Sequence, residues 1–186
     1  MTLPVRRPAT YDDIVALPEH VVGEIVGGEL QVSPRPAIGH ALGSSALGAT
    51  LMPRFQFGDG GPGGWWILDE PELHFGEDVV VPDLAGWRKE RMPELPRKTF
   101  LTATPDWVCE FLSPSTSRFD RTKKIPLYAH ARIPHLCLFD TLAETLEVFR
   151  LESAHWVLLG AHGGDDVVRA EPFDAVALEL KRIWGR

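Results

Sequence analysis

Two carboxylates sit inside apolar runs of this chain. Asp83 follows Val79-Val80-Val81-Pro82, and Glu110 lies within Trp107-Val108-Cys109-Glu110-Phe111-Leu112. A lysine, Lys124, comes later in the charged stretch Asp120-Arg121-Thr122-Lys123-Lys124. Hard cations such as Mg²⁺ take oxygen ligands, use few carboxylates and keep waters for chemistry. Two acids from neighbouring strands, Asp83 and Glu110, suit that demand. The cation would lower the pKa of a water and neutralise charge on a phosphate. Lys124 would orient the attacking water or stabilise the developing negative charge. Taken together, the three residues point to phosphodiester hydrolysis.

Each residue also has a plainer reading. Pro82 interrupts a β-ladder, so Asp83 sits at a break where turn aspartates are satisfied by backbone donors. Strand alternation puts Val108, Glu110 and Leu112 on one face, where an ionised carboxylate is costly unless paired, hydrogen-bonded or bound to a cation. Glu110 at a sheet end that reaches water is the competing account. Lys124 on an exposed face would pair with Asp120 four residues earlier for only about 0.2–0.5 kcal/mol. Asp120 itself reads as an N-cap or ion-pair partner rather than a metal ligand.

The elements that must position these groups can be sketched from pattern. Thr10 caps a short helix through about Leu17, with Asp12 and Asp13 in its first turn and Pro18 ending it. Glu24-Ile25-Val26 and Glu29-Leu30-Gln31-Val32 form a hairpin across Gly27-Gly28. Residues 37–57 place Ile38, Leu42, Ala46, Leu47, Leu51 and Phe55 at helical offsets. Gly58 to Gly64 is a glycine-rich loop; no Gly-Lys-Ser/Thr follows, so it is not a phosphate cradle. Trp65–Leu68, Leu73–Phe75, Val79–Trp87 and Trp107–Leu112 are strand-like. A helix from Ser117 or Asp120 runs to about Ala131, with Pro126 kinking it or moving its start toward Lys123. His135–Asp140, Thr145–Leu151 and His155–Gly160 follow as strands, paired antiparallel, and Val167–Trp184 reads as a short strand and a helix. The sum is one domain over residues 1–186, of α/β class: a mixed α+β sheet flanked by helices.

These segments resemble the PD-(D/E)XK nuclease superfamily, and within it a family of putative restriction endonucleases. The likeness runs through Thr10-Tyr11-Asp12-Asp13, Gly23-Glu24-Ile25-Val26-Gly27-Gly28-Glu29-Leu30, Ser33-Pro34 with His40, and Val81-Pro82-Asp83. It continues in Pro105-Asp106-Trp107-Val108-Cys109-Glu110-Phe111-Leu112-Ser113-Pro114-Ser115-Thr116 and in Asp120 to Lys124 with Tyr128-Ala129. The resemblance implies a restriction-endonuclease-like core and a divalent metal, Mg²⁺ or Mn²⁺. Asp83 and Glu110 become the metal ligands and Lys124 the catalytic lysine. Glu24 becomes a further acid at the site, and His40 a helix residue facing it. The superfamily pattern wants lysine two residues after the glutamate, where this chain has Leu112; the family takes it from the following helix, as Lys124 would supply, with Lys123 the fallback.

Composition restricts the alternatives. Net charge is -7, which argues against a protein that coats nucleic acid nonspecifically. Basic residues do gather beside the acids, in Arg88, Lys89, Arg91, Arg97 and Lys98 and in Arg118, Arg121, Lys123, Lys124 and Arg132. The only cysteines, Cys109 and Cys137, lie in apolar runs and read as buried free thiols of a reducing compartment. No secretory signal is visible at Met1 to Asp13 and no run reaches the roughly 18–20 apolar residues of a membrane span, so the cytoplasm is the expected location. Serine-hydrolase, zinc and dinucleotide motifs are absent, and Trp65-Trp66 reads as core rather than a base-stacking platform. The expectation is a metal-dependent DNA endonuclease, acting as a homodimer to cut both strands. The rivals are a nuclease-like fold kept as a DNA-binding or regulatory module, and a hydrolase of other phosphoesters.

Overall fold

The computed structural model describes residues 7–33 and 36–186. The N-terminal reading at Met1 to Arg6, and Pro34 of the Ser33-Pro34 pair, lie outside the described residues.

A six-stranded sheet of order β10-β9-β8-β7-β6-β3 forms the centre. Its members are β3 (Trp65–Asp69), β6 (Leu84–Arg88), β7 (Trp107–Leu112), β8 (His135–Asp140), β9 (Thr145–Glu152) and β10 (His155–Gly163). Among the described residues of this sheet, only β7 and β8 pair in parallel. Their crossover carries α3 (Ser117–Phe119), a π-helical turn (Asp120–Lys124) and α4 (Ile125–His130). A parallel pair needs such a connection. The antiparallel run expected after residue 135 is present as β8, β9 and β10.

A second sheet, of order β2-β1-β5-β4, contains β1 (Val22–Val26), β2 (Glu29–Ser33), β4 (Leu73–Phe75) and β5 (Asp78–Val80). The expected hairpin is β1–β2, with Gly27 and Gly28 both at positive φ in its turn. One expectation needs correction. Val79–Trp87 is not one strand but two, β5 and β6, in different sheets. The chain changes sheet at Val81-Pro82-Asp83, where Pro82 has no N–H to continue a ladder.

Helices complete the layers. α1 (Tyr11–Val15) begins where Asp13 accepts the Thr10 N–H at 2.8 Å. The expected helix over 37–57 is α2 (Ile38–Leu51) continued by a π-helical stretch (Met52–Phe57) containing Pro53. Pro126 is met in the same way: the π turn ahead of it runs on into α4 with helical backbone at Lys124 and Ile125, and the proline falls in the first turn of α4. The tail forms the short β11 (Val167–Val168) and β12 (Leu178–Glu179), then α5 (Leu180–Ile183). Among the described residues no helix is long and apolar enough to cross a membrane.

Alternation along β7 divides the core. Trp107, Cys109 and Phe111 pack with Leu47 and Leu51 of α2 and with Leu180 and Ile183 of α5. Val108 and Leu112 pack on the other face with Leu127 and Tyr128 of α4. Glu110 shares that second face by strand geometry. Both cysteines are buried and free.

Close approach of α2 to β7 depends on Gly43. A Cβ there would lie 2.6 Å from Cε1 of the fully buried Phe111. Gly43→Ala gains about 1 kcal/mol in helix propensity, but overpacking against a ring with no free space costs about 1–3 kcal/mol. The variant is therefore expected to lower the urea midpoint; an unchanged or raised midpoint would show that α2 can slide.

Candidate active site

The site is built where the chain changes sheet. Asp83 stands just before β6, and its carboxylate joins three elements. Oδ2 accepts the Phe111 N–H of β7 at 2.6 Å, and Oδ1 lies 2.5 Å from Nε2 of His40 on α2. The turn-aspartate reading is half right: Asp83 does accept a backbone donor, but one supplied by a neighbouring strand.

Glu110 lies at the middle of β7 and is 3% exposed. It does not reach water as a sheet-end residue would. The Tyr128 hydroxyl of α4 donates to its Oε1, and the Lys124 ammonium lies 2.7 Å from the same oxygen. Lys124 is 2% exposed. Its Nζ also lies 2.9 Å from Oε1 of Glu24 and 3.3 Å from the Val81 carbonyl. Three acceptors thus meet the three N–H donors of the ammonium. Asp120 lies 4.0 Å away, at the edge of ion-pair range.

Glu24, on β1, also accepts the Val81 N–H at 2.9 Å. It therefore points into the site rather than capping the hairpin. Asp120 is buried inside the π turn and is not an N-cap. The wider π turn presents Asp120 and Lys124 to the same interior. Lys123 points away: it pairs with Glu29 at 3.0 Å and is 42% exposed. Lys124 is the inward lysine.

Glu24, His40, Asp83, Glu110, Asp120 and Lys124 all line one cleft of about 370 Å³. Hydroxyls of Ser113 and Thr116, 3.0 Å apart, stand at its wall. Acid exceeds base inside it. Burial pushes the Glu110 carboxyl well above the usual range, against the pull of Lys124. Burial also raises Asp120, to about 6. Burial works to lower Lys124, but the Glu110 and Glu24 carboxylates outweigh it and hold the ammonium well above its ordinary pKa. Burial works to lower His40, but the Asp83 hydrogen bond and the negative charges of Asp83, Glu70 and Asp120 together outweigh it and raise the imidazole.

A divalent cation suits this donor set. Hard carboxylate oxygens face the cleft, their negative charge exceeds what Lys124 and His40 neutralise, and Oε2 of Glu110 takes no hydrogen bond among the described residues. No cluster of three or more His, Cys, Asp or Glu poised to cage a metal occurs among the described residues.

The basic windows are partly spent within the protein, while Arg97, Lys98, Arg118 and Arg132 are exposed. Arg88 lies over the Trp65 ring, Lys89 over Trp66 and on the Gln56 carbonyl, and Arg91 on Asp106. Arg121 pairs with Glu147. Trp65 is core, as expected. Glu70, which lines the cleft, escaped the sequence reading as a site residue, and so did Tyr128, whose hydroxyl donates to Glu110. The signal for Tyr128 was its position four residues after Lys124, one turn along the same helical face.

A family model described as putative restriction endonuclease, Uma2, matches residues 10–181. The fold matches that of a putative nuclease from Anabaena variabilis with a TM-score of 0.69 and 23% identity, covering 96% of this chain and 98% of that one. At that identity the likeness speaks for the fold. No curated protein matches the chain.

Removing the ammonium tests the electrostatics. Lys124→Met leaves Glu110 and Glu24 buried without their counter-charge, a loss of about 3–5 kcal/mol near neutrality. An acid whose folded pKa exceeds its unfolded value weighs against folding above the folded pKa, and that penalty fades as pH falls through it. Glu110 is already raised and rises further without Lys124. The deficit relative to the unmodified protein should therefore shrink between about pH 8 and pH 5.5 in urea unfolding. An equal deficit at both would mean that Lys124 carries no such charge balance.

Proposed function

Because the chain belongs to the Uma2 family of putative restriction endonucleases, we propose that it is a metal-dependent endonuclease that hydrolyses DNA phosphodiesters. The observation that carries this reading is the meeting of Asp83, Glu110 and Lys124 in one cleft from three separate segments. Asp83 and Glu110 would hold Mg²⁺ or Mn²⁺, which when bound supplies an activated water and neutralises phosphate charge.

The remaining roles belong to the side chains. Asp83 is fixed by the Phe111 N–H and by His40, so its orientation does not depend on substrate. Lys124 joins Glu110 to Glu24 and keeps positive charge at the floor of the cleft. Its N–H groups already have protein acceptors, so it acts on the scissile phosphate first through its field. Asp120 balances charge behind the lysine, and Lys123 stays outside. Cutting both strands of a duplex calls for two copies about a two-fold axis, one site each. The two buried free thiols suit the reducing cytoplasm.

One observation favours a second reading, a nuclease fold that binds DNA without cutting it. The donors of Lys124 are committed to protein acceptors, whereas Arg97, Lys98, Arg118 and Arg132 lie exposed, where they can meet phosphate.

Supercoiled plasmid separates the two. With Mn²⁺ or Mg²⁺ the protein should convert it to nicked and linear forms, and Asp83→Ala or Glu110→Gln should slow this by about 10²–10³-fold, as loss of a preorganised electrostatic group does. Salt-sensitive DNA binding without cleavage would instead establish the second reading. Sedimentation should give twice the monomer mass.

A further inference from the structure

We propose that Tyr128 is the positioning residue that presents Glu110 to the cation. This rests on the reading of Glu110 as a metal ligand. The tyrosine is wholly buried, in the apolar cluster that also holds Val108, Leu127, Leu136 and Leu138. Its hydroxyl nevertheless donates to the one oxygen of Glu110 that Lys124 also engages.

A carboxylate on a two-bond stem can turn about its last torsion and exchange its oxygens. Two donors on Oε1 prevent this. One comes from the π turn and the other from α4, one helical turn further on. With Oε1 held, the carboxylate plane is set, and Oε2 is the oxygen left to coordinate. Lys124 alone cannot do this. Its ammonium also bonds Glu24 and the Val81 carbonyl, which leaves one donor for Glu110. The phenol is rigid, its ring is locked by packing, and its hydroxyl has no other hydrogen-bond partner among the described residues. Partners that fix a metal ligand in this way typically change metal affinity about 10–100-fold when removed.

Tyr128→Phe keeps the ring and deletes only the donor. Binding of Mn²⁺ to the full chain, followed by calorimetry and by the Mn²⁺ paramagnetic resonance signal, should weaken about 10–100-fold. Raising Mn²⁺ should restore plasmid cleavage, because the defect lies in holding the ion. A control separates this from general loosening. Ile133→Val removes a methyl from the same apolar cluster without touching Glu110, and it should leave Mn²⁺ affinity unchanged. Equal Mn²⁺ affinity in Tyr128→Phe and the unmodified protein would overturn the role of Tyr128 and leave the nuclease reading intact. Equal losses in Tyr128→Phe and Ile133→Val would overturn it as well. If the unmodified protein binds no Mn²⁺ at all, both readings fall together.

Discussion

A single buried ammonium holds this structure's two sheets and its crossover helix to one another. Lys124 reaches Glu24 in the four-stranded sheet, Glu110 in the six-stranded sheet and the Val81 carbonyl in the segment that joins them. Carboxylates at such depth are costly without compensation. The attraction between opposite charges grows in the same low-dielectric surroundings that make each charge costly alone. The arrangement therefore stands or falls as a unit. Its acids exceed its bases, which is a poor way to make a stable core.

Asp83 shows how the fold produces that unit. Val79 and Val80 commit the chain to one sheet and Leu84 to Arg88 commit it to another. Pro82 marks the gap because it cannot extend either ladder. A side chain in the gap is free to leave the alternation, and Asp83 uses that freedom to bond β7 and α2 at once. The close seat of α2, made possible by Gly43, brings His40 within reach. Backbone, packing and site chemistry are thus linked through one sheet-to-sheet passage.

Much of this was legible beforehand. Alternation in Trp107 to Leu112 announced a buried strand with a carboxylate turned toward one face, and Glu110 is there. The hairpin, the helix over 37–57 and the late antiparallel strands follow from period and turn chemistry. The division of Val79–Trp87 between sheets was less visible, because apolar run length says nothing about which sheet a strand joins. The π turn was not visible either: proline predicts a disturbance but not whether the helix kinks or widens. Choosing Lys124 over Lys123 needed coordinates, since adjacent residues differ by about 100° around a helix and the widened turn shifts the phase. Tyr128 belonged to the resemblance without being read as a site residue, since an aromatic residue at helical spacing resembles core and most of its surface is core.

The placement of the lysine changes what the site depends on. Leu112 occupies the strand position two residues beyond Glu110; it is buried and packs with Val108, Leu127 and Tyr128. A lysine there would share a strand with its carboxylate, and the geometry between them would be set by backbone alone. Here the charge comes from the crossover instead. The Glu110–Lys124 distance is then set by how the π turn and α4 pack on the sheet, and the burial of Leu127 and Tyr128 in the apolar cluster beneath fixes that packing. The site gains a second donor from the same helix, the Tyr128 hydroxyl, that a strand-borne lysine would not bring with it. It also becomes sensitive to the core beneath it: a change that shifts α4 moves Lys124 and Tyr128 together, and both hold the same oxygen of Glu110.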